Sequence, residues 1–502
     1  MDKTAYVYKL AKTETPYFLC RPRRFGKSLM ISTLKAYFEG EKELFQGLAI
    51  SELEKDWAEH PVFLIDLNVG EYGSVAELKA SLGSRLRVLE SEWGADADAL
   101  NEPLASRFDS LIRRVFEKTG KNVVVLIDEY DKPLVHHLEN ESIQEEFRAV
   151  LKSFYGVLKS ADPWLRFVFI TGVSKFSHVS LFSDMNQLRD ISMEEDYAGI
   201  CGITENELTA NFEPEILLLA KEQKMTPDDA LVEMRKRYNG YRFAPEAEAV
   251  YNPFSVLNTL GKRTFGYYWF QTGTPTFLIE QIRKARFDIP DFTNGVSYSA
   301  QNIGSYRANI DSPIPLLYQT GYLTIRDYAP RSGKYTLGFP NEEVKYAFLE
   351  EFLVSYFPKC MNLQGLYVGD FAEDLWNRDI EAFMTRLRSL IASMPYGIKS
   401  EETENWFQTV SYLLFVLMGQ YVQAEVHSHK GRADAVVITD DSVYVFEFKI
   451  TDGKSGKSAD DALKQIDETD YLGPYRASGK RLVKIGAVYN TTERELGEVK
   501  IM

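Results

Sequence analysis

The stretch that most limits the fold lies near the N-terminus. The apolar run Tyr17–Cys20 is followed by RPRRFGKS, residues 21–28, which leads into the helical pattern Lys27–Phe38. A strand that turns through Gly-Lys-Ser straight into a helix is the way open α/β sheets hold phosphate. The first 200 residues repeat this alternation. Residues 62–67, 123–127 and 167–171 read as strands, and residues 76–90, 104–119 and about 142–159 as helices. Such alternation predicts an α/β fold, a parallel sheet with helices on both faces.

In the phosphate-loop pattern GxxxxGK(S/T), Gly26, Lys27 and Ser28 match, and Arg21 stands where the first glycine belongs. Each matching residue has a physical task. Gly26 lets the backbone turn so that its N–H groups meet phosphate oxygens. Lys27 reaches the β- and γ-phosphates, and the Ser28 hydroxyl ligates Mg²⁺. Arg21, Arg23, Arg24, Phe25 and Leu29 complete the candidate nucleotide-contacting set. The three arginines are expected either to touch phosphate or to act across a subunit boundary, against the plainer reading of a solvated basic loop.

A second motif follows about a hundred residues later. VVVLIDEYD, residues 123–131, is an apolar strand ending in Asp128 and Glu129. Its position predicts Asp128 as a holder of Mg²⁺ and Glu129 as the group that polarises the attacking water. The strand at 62–67, lying between the two motifs in the chain, together with the acid after Asp128, suggests the additional-strand (ASCE) class of P-loop NTPases. Thr171 or Ser174, in ITGVSKFS (residues 170–177), would then sit beside the γ-phosphate.

The length of 502 residues allows two to four domains. We expect four blocks: an ATPase domain at 1–200, a helical lid and winged-helix-like module at 201–340, a helical connector at 341–395, and a final α/β block at 396–502. The second block opens at TENEL, with Thr204 as helix cap and Glu207 three residues on. It then reads as mostly helical, with the turn clusters YNGYRF (238–243) and YNPFS (251–255). The three cysteines Cys20, Cys201 and Cys360 are scattered, which indicates neither a disulfide framework nor a zinc ribbon and suits a cytoplasmic setting. The polar N-terminus does not read as a signal peptide. The most apolar stretch, 406–422, is interrupted by polar residues and reads as a buried helix, so no membrane association is expected. A net charge of −15 makes the chain a poor non-specific binder of nucleic acid, so any such binding must be argued from a site.

The last block offers one. GRADAVVITDDSVYVFEFK, residues 431–449, reads as a hairpin in which Asp434 can lie next to Glu447. Glu447 and Lys449 share one face of the second strand. Charges on the inward face of a buried strand are costly unless used. Asp434 and Glu447 would supply oxygens to Mg²⁺, and Lys449 would orient or activate a water attacking phosphorus. This is the PD-(D/E)xK nuclease pattern. Glu404 on the preceding helix is the expected extra acid, and Gln465 on the next helix is expected to touch substrate or water. An edge hairpin with a salt bridge is the plainer alternative. His427 and His429 just before the hairpin read as ordinary polar histidines.

At this point the two ends of the chain agree. DKT (2–4), YFLCRPRRFGKSL (17–29), VVVLIDEYDKPL (123–134), ITGVSKFS (170–177), YNPFSVLN (251–258), TGTPTFL (272–278) and the GRADAVV…FEFK segment resemble the bacterial AAA-ATPase-like proteins fused to a C-terminal PD-(D/E)xK nuclease-superfamily domain. The resemblance covers nearly the whole chain and implies ATP binding with Mg²⁺ and a nuclease-like domain. It also implies that Arg21 in place of glycine is the family norm. Members usually carry a leader before the DKT segment, which here begins at Met1; a shortened start that removes part of the adenine pocket is the corresponding expectation.

Two functional readings follow. In the first, the nucleotide state gates a Mg²⁺-dependent nuclease acting on DNA or RNA. In the second, the chain is a nucleotide-dependent switch whose nuclease-like domain only binds nucleic acid or a partner. A scaffold with a relict phosphate loop fits less well, since Lys27, Ser28, Asp128 and Glu129 are all present. A homo-oligomer is consistent with either reading.

Overall fold

The computed structural model describes the chain except residues 95–101, 136, 138–139, 176–180, 183–184, 271–277, 280–281, 283–288, 304–311, 358–367, 396–397, 399–401, 430–431 and 454–455, and the side chains of 289–291, 426–429 and 432–434. Two compact units emerge. One comprises Met1–Thr274, Glu280–Phe287 and Asp291–Val344, the other Pro275–Ile279, Asp288–Pro290 and Lys345–Met502.

The first unit is built on strands β1 (Tyr17–Cys20), β2 (Val62–Asp66), β3 (Val123–Asp128), β4 (Leu165–Gly172) and β5 (Arg189–Asp190), in the order β2-β3-β4-β1-β5. All four pairings are parallel. The continuous apolar runs explain this. Every residue of β3 is buried, as expected of a strand covered on both faces. The helices Lys27–Phe38, Val75–Trp93, Leu104–Thr119 and Glu141–Ser160 correspond to the expected ones. In the sheet β4 lies between the phosphate-loop strand β1 and the Asp128 strand β3, with β2 at the edge, which is the additional-strand arrangement expected of the ASCE class. The short helix Thr4–Ala11, which buries Val7 and Leu10, went unread in the polar N-terminal segment.

The remainder of this unit holds the helices Glu205–Glu222, Pro227–Tyr238 and Pro253–Lys262, which share a core of Ile203, Leu208, Ile216, Leu219, Met234, Tyr238, Tyr251, Val256 and Leu260. The first begins with the expected reciprocal cap between Thr204 and Glu207. An antiparallel sheet of β6 (Val296–Ser299), β7 (Thr324–Ala329) and β8 (Lys334–Gly338) follows, in the order β6-β8-β7.

The second unit centres on the sheet β13-β12-β11-β10-β9, with strands β9 (Gln423–His429), β10 (Arg432–Ile438), β11 (Ser442–Thr451), β12 (Arg481–Asn490) and β13 (Glu495–Ile501). Strands β11 and β12 run parallel, joined through the helix Ala459–Glu468, and the remaining pairs are antiparallel. Alternation along β11 gives each face its own helices. Val443 and Val445 pack with Leu463 and Ile466 of the helix Ala459–Glu468. Phe446 and Phe448 face the helix Thr403–Met418, with Phe415 5.0 Å from Phe446 and Phe407 5.6 Å from Phe448. The helices of the 341–395 stretch share that core: Phe383 lies 5.0 Å from Phe446, and Leu375 O accepts from Tyr444 Oη at 2.8 Å. No helix among the described residues is long and apolar enough to cross a membrane.

Candidate active sites

Parallel strands deliver their C-terminal ends, and the loops that follow, to one edge of the sheet. Gly26 has φ of 94°, a left-handed conformation that favours glycine, and the helix Lys27–Phe38 starts directly after it. Lys27 folds back over the loop. Its Nζ donates to Arg21 O at 3.1 Å and Pro22 O at 3.3 Å, and pairs with Glu129 at 3.3 Å. Ser28 Oγ donates to Asp128 Oδ2 at 2.6 Å, while Thr171 Oγ1 donates to Asp128 Oδ1. One carboxylate thus joins the loop helix, β3 and β4. Glu129 lies beside it with φ of 53°, a costly conformation for a residue with a side chain.

Ser28 Oγ and the Asp128 carboxylate are hard oxygen donors held side by side, a donor set that fits Mg²⁺. Thr171 is in direct contact with that set. Ser174 is not: its hydroxyl and its N–H both donate to Asp131 Oδ2, at 2.6 and 2.7 Å. Asp131 was absent from the sequence reading. It is fully buried and also accepts from Val173 N at 3.2 Å. Burial, and then the negative charge of Glu129, raise its pKa against the lowering effect of these donors. The available signal was a second acid three residues after Asp128.

The loop arginines separate. Arg21 is neither beside the phosphate position nor solvated. Its side chain is buried, donating to Cys20 O and Ser192 O at 2.9 and 2.7 Å and to Tyr197 O at 3.1 Å, with its guanidinium 4.0 Å above the Phe243 ring. Carbonyls and an aromatic face offset part of the cost of burying it, and burial still lowers its pKa. Arg21 is a strut, which corrects its expected role as a phosphate contact. Phe25 is corrected in the same way: its ring is buried edge-on against Tyr241 and Phe243, at 4.7 and 5.5 Å. Arg23, Arg24 and Leu29 are exposed.

In the second unit, Glu447 is completely buried, and Lys449 Nζ donates to its Oε1 at 3.1 Å. Lys449 Nζ also donates to Gln465 Oε1. The strand and the following helix therefore bring three expected residues into contact. The antiparallel register of β10 with β11 runs from Ile438 opposite Val443 to Ala435 opposite Phe446, and Asp434 and Glu447 are the next residue of each strand. The Asp434 side chain, like those of His427 and His429, lies outside the described residues, as does Cys360. The buried Glu447 carboxylate is an oxygen donor of the kind that a divalent cation takes. Among the described residues alone no group of three or more His, Cys, Asp or Glu converges. Glu404 is not brought to the set. It is exposed, accepts from Gln408 of its own helix at 3.1 Å, and that helix packs on the Phe446/Phe448 face, opposite Glu447. Strand alternation separates the two acids, which corrects the expected metal role of Glu404.

Comparison with known proteins finds a family at each end of the chain. Residues 1–182 match the AAA-ATPase-like family, described as predicted AAA-ATPases, and residues 402–499 match the PD-(D/E)XK nuclease superfamily. An uncharacterized protein in the vnfD 5′ region of Azotobacter chroococcum mcd 1 is 35% identical over 504 residues, spanning 99% of this chain and 94% of that protein. Among solved structures, a STAND protein with a tetratricopeptide repeat sensor from Pyrococcus horikoshii shows 12% identity over 84% of this chain and 54% of that one, with a TM-score of 0.25. The ORC2 protein of Aeropyrum pernix, in ADPNP-ADP complexes, shows 10% identity over 70% of this chain and 93% of that one, with a TM-score of 0.26. At such scores neither structure adds to the fold argument, which rests on strand order and the family matches. Two domain matches at the two ends, and a relative aligned along almost its whole length, establish that the chain belongs to the AAA-ATPase-like family that carries a C-terminal PD-(D/E)XK nuclease-superfamily domain.

Proposed function

We propose that the chain binds and hydrolyses ATP with Mg²⁺ at the phosphate loop, and that its nucleotide state gates metal-dependent phosphodiester cleavage of DNA or RNA by the C-terminal domain. The observation that carries this reading is the Ser28–Asp128–Thr171 hydrogen-bond chain with the Lys27–Glu129 pair beside it. Lys27 is held by loop carbonyls and by Glu129, and phosphate oxygens are better partners for an ammonium than carbonyls. Binding would draw Lys27 away and release Glu129 to orient a water. Ser28 and Asp128 would hold Mg²⁺, which supplies charge neutralisation at the transferring phosphoryl group. Thr171 would then report the γ-phosphate to β4.

In the C-terminal domain, Asp434 and Glu447 would hold the cation, which supplies Lewis acidity at the phosphodiester. Lys449 would orient the attacking water, with Gln465 fixing the ammonium. The blocks 1–200, 201–340, 341–395 and 396–502 would act as ATPase, lid with a winged-helix-like module, connector and nuclease. Exposed Arg23 and Arg24 would serve phosphate directly or a neighbouring copy in an oligomer. The test is ATP hydrolysis and Mg²⁺-dependent nucleic-acid cleavage by the purified chain beside Lys27→Ala and Lys449→Ala. Cleavage lost only in Lys449→Ala, with ATP dependence lost in Lys27→Ala, supports the reading. ATP binding without any cleavage favours the switch in which the C-terminal domain only binds.

A further inference from the structure

YNGYRF and YNPFS read as turn clusters in the sequence. Both form the underside of the phosphate loop. In YNPFS, Asn252 caps the helix Pro253–Lys262 by accepting from Ser255 N at 3.1 Å. Phe254 lies 5.0 Å beneath the Arg24 guanidinium, and Ser255 Oγ donates to Glu343 Oε2 at 2.7 Å. The other oxygen of Glu343 accepts from Trp269 N, also at 2.7 Å. Trp269 then donates its indole N–H to Arg23 O at 3.0 Å. In YNGYRF, Tyr241 packs between the Phe25 and Trp269 rings, at 4.7 and 6.4 Å.

The carbonyl that Trp269 grips belongs to the peptide just before Arg24. That residue has φ of 66°, a conformation in which a side chain is disfavoured. A conformation of this kind persists only where surrounding contacts hold it. Glu343 is fully buried, is held by the Ser255 hydroxyl and in turn holds the Trp269 N–H, so the grip starts from an anchored point.

We propose that Trp269 and Glu343 are positioning residues for the nucleotide site: they brace the phosphate loop at Arg23–Arg24 and so set ATP affinity. This rests on the reading of the loop as an ATP site. Neither residue touches the phosphate position; each acts through the loop backbone.

The test joins hydrogen–deuterium exchange across residues 21–28 of the ATP-free protein with ATP titration. It compares wild type, Trp269→Phe, Glu343→Gln, Glu343→Ala and Lys27→Ala. Trp269→Phe keeps an aromatic ring and removes the donor. The expected result is exchange about three- to tenfold faster in the loop and ATP binding weakened by a similar factor, the size that one net hydrogen bond carries. Glu343→Gln, which can still accept from Trp269 N, should resemble wild type, and Glu343→Ala should resemble Trp269→Phe. Should Glu343→Ala fail to fold, Trp269→Phe and Glu343→Gln decide between them. Unchanged loop exchange in Trp269→Phe would overturn the brace. Faster exchange with unchanged ATP affinity would overturn its role in binding. A wild type that binds no ATP would overturn the nucleotide reading, and the exchange data would still judge the brace.

Discussion

Asp131 and Glu343 are two buried carboxyls, and each lends itself to a substitution. Asp131 ties the turn after β3 to the turn after β4 through Val173 and Ser174, so it fixes where Thr171 meets Asp128. Asp131→Asn presents an amide N–H₂ where an acceptor is needed, and a buried donor left without a partner is costly. We expect ATP turnover to fall about tenfold or more with ATP affinity changed far less, as steady-state kinetics and equilibrium titration would reveal. An equal loss in both would mean that Asp131 serves only folding. For Glu343, burial raises the pKa from 4.5 to about 7, outweighing the lowering by the Ser255 and Trp269 donors. A carboxyl raised in the folded state binds its proton more tightly there than in the unfolded chain. Its stabilising contribution is full below pH 4.5 and is lost as pH rises through about 7. Thermal unfolding between those limits should show a decline with pH that Glu343→Gln flattens; an equal slope in both proteins would contradict it.

At the scale of elements, much was legible. The strand–loop–helix at residues 17–38 and the apolar β3 run follow from local pattern, because a buried parallel strand needs a continuous apolar sequence. Glu447 and Lys449 were readable for the same reason, as charges interrupting the apolar run of β11. Arg21 and Phe25 were misread because their partners, Phe243, Tyr241, Ser192 and Tyr197, stand more than 150 residues away in sequence. Glu404 was misread because no sequence pattern says which face of the sheet its helix covers. Close approach of elements was equally hidden. Gly240, with φ of 102°, passes so near Pro340 that an added Cβ would sit 1.9 Å from its carbonyl oxygen. Gly240→Ala should therefore cost about 1–3 kcal/mol of stability, by overpacking alone, in denaturant unfolding. A loss below about 0.5 kcal/mol, the range of an ordinary surface substitution, would show that the YNGYRF turn is not pinned there.

For the whole molecule, the phosphate-loop site and the Glu447 site each lie within one unit. The net charge of −15 gives bulk electrostatics no part in attracting nucleic acid, so cleavage should depend on local contacts at the Glu447 site. The central claim is that nucleotide controls that site. The direct measurement is cleavage of plasmid DNA, single-stranded DNA and RNA with Mg²⁺ or Mn²⁺, with and without ATP, by wild type, Lys27→Ala and Glu447→Ala. The account predicts cutting that responds to ATP in wild type, is insensitive to ATP in Lys27→Ala, and is absent in Glu447→Ala. Cutting by Glu447→Ala at the wild-type rate, or an ATP response preserved in Lys27→Ala, would contradict it.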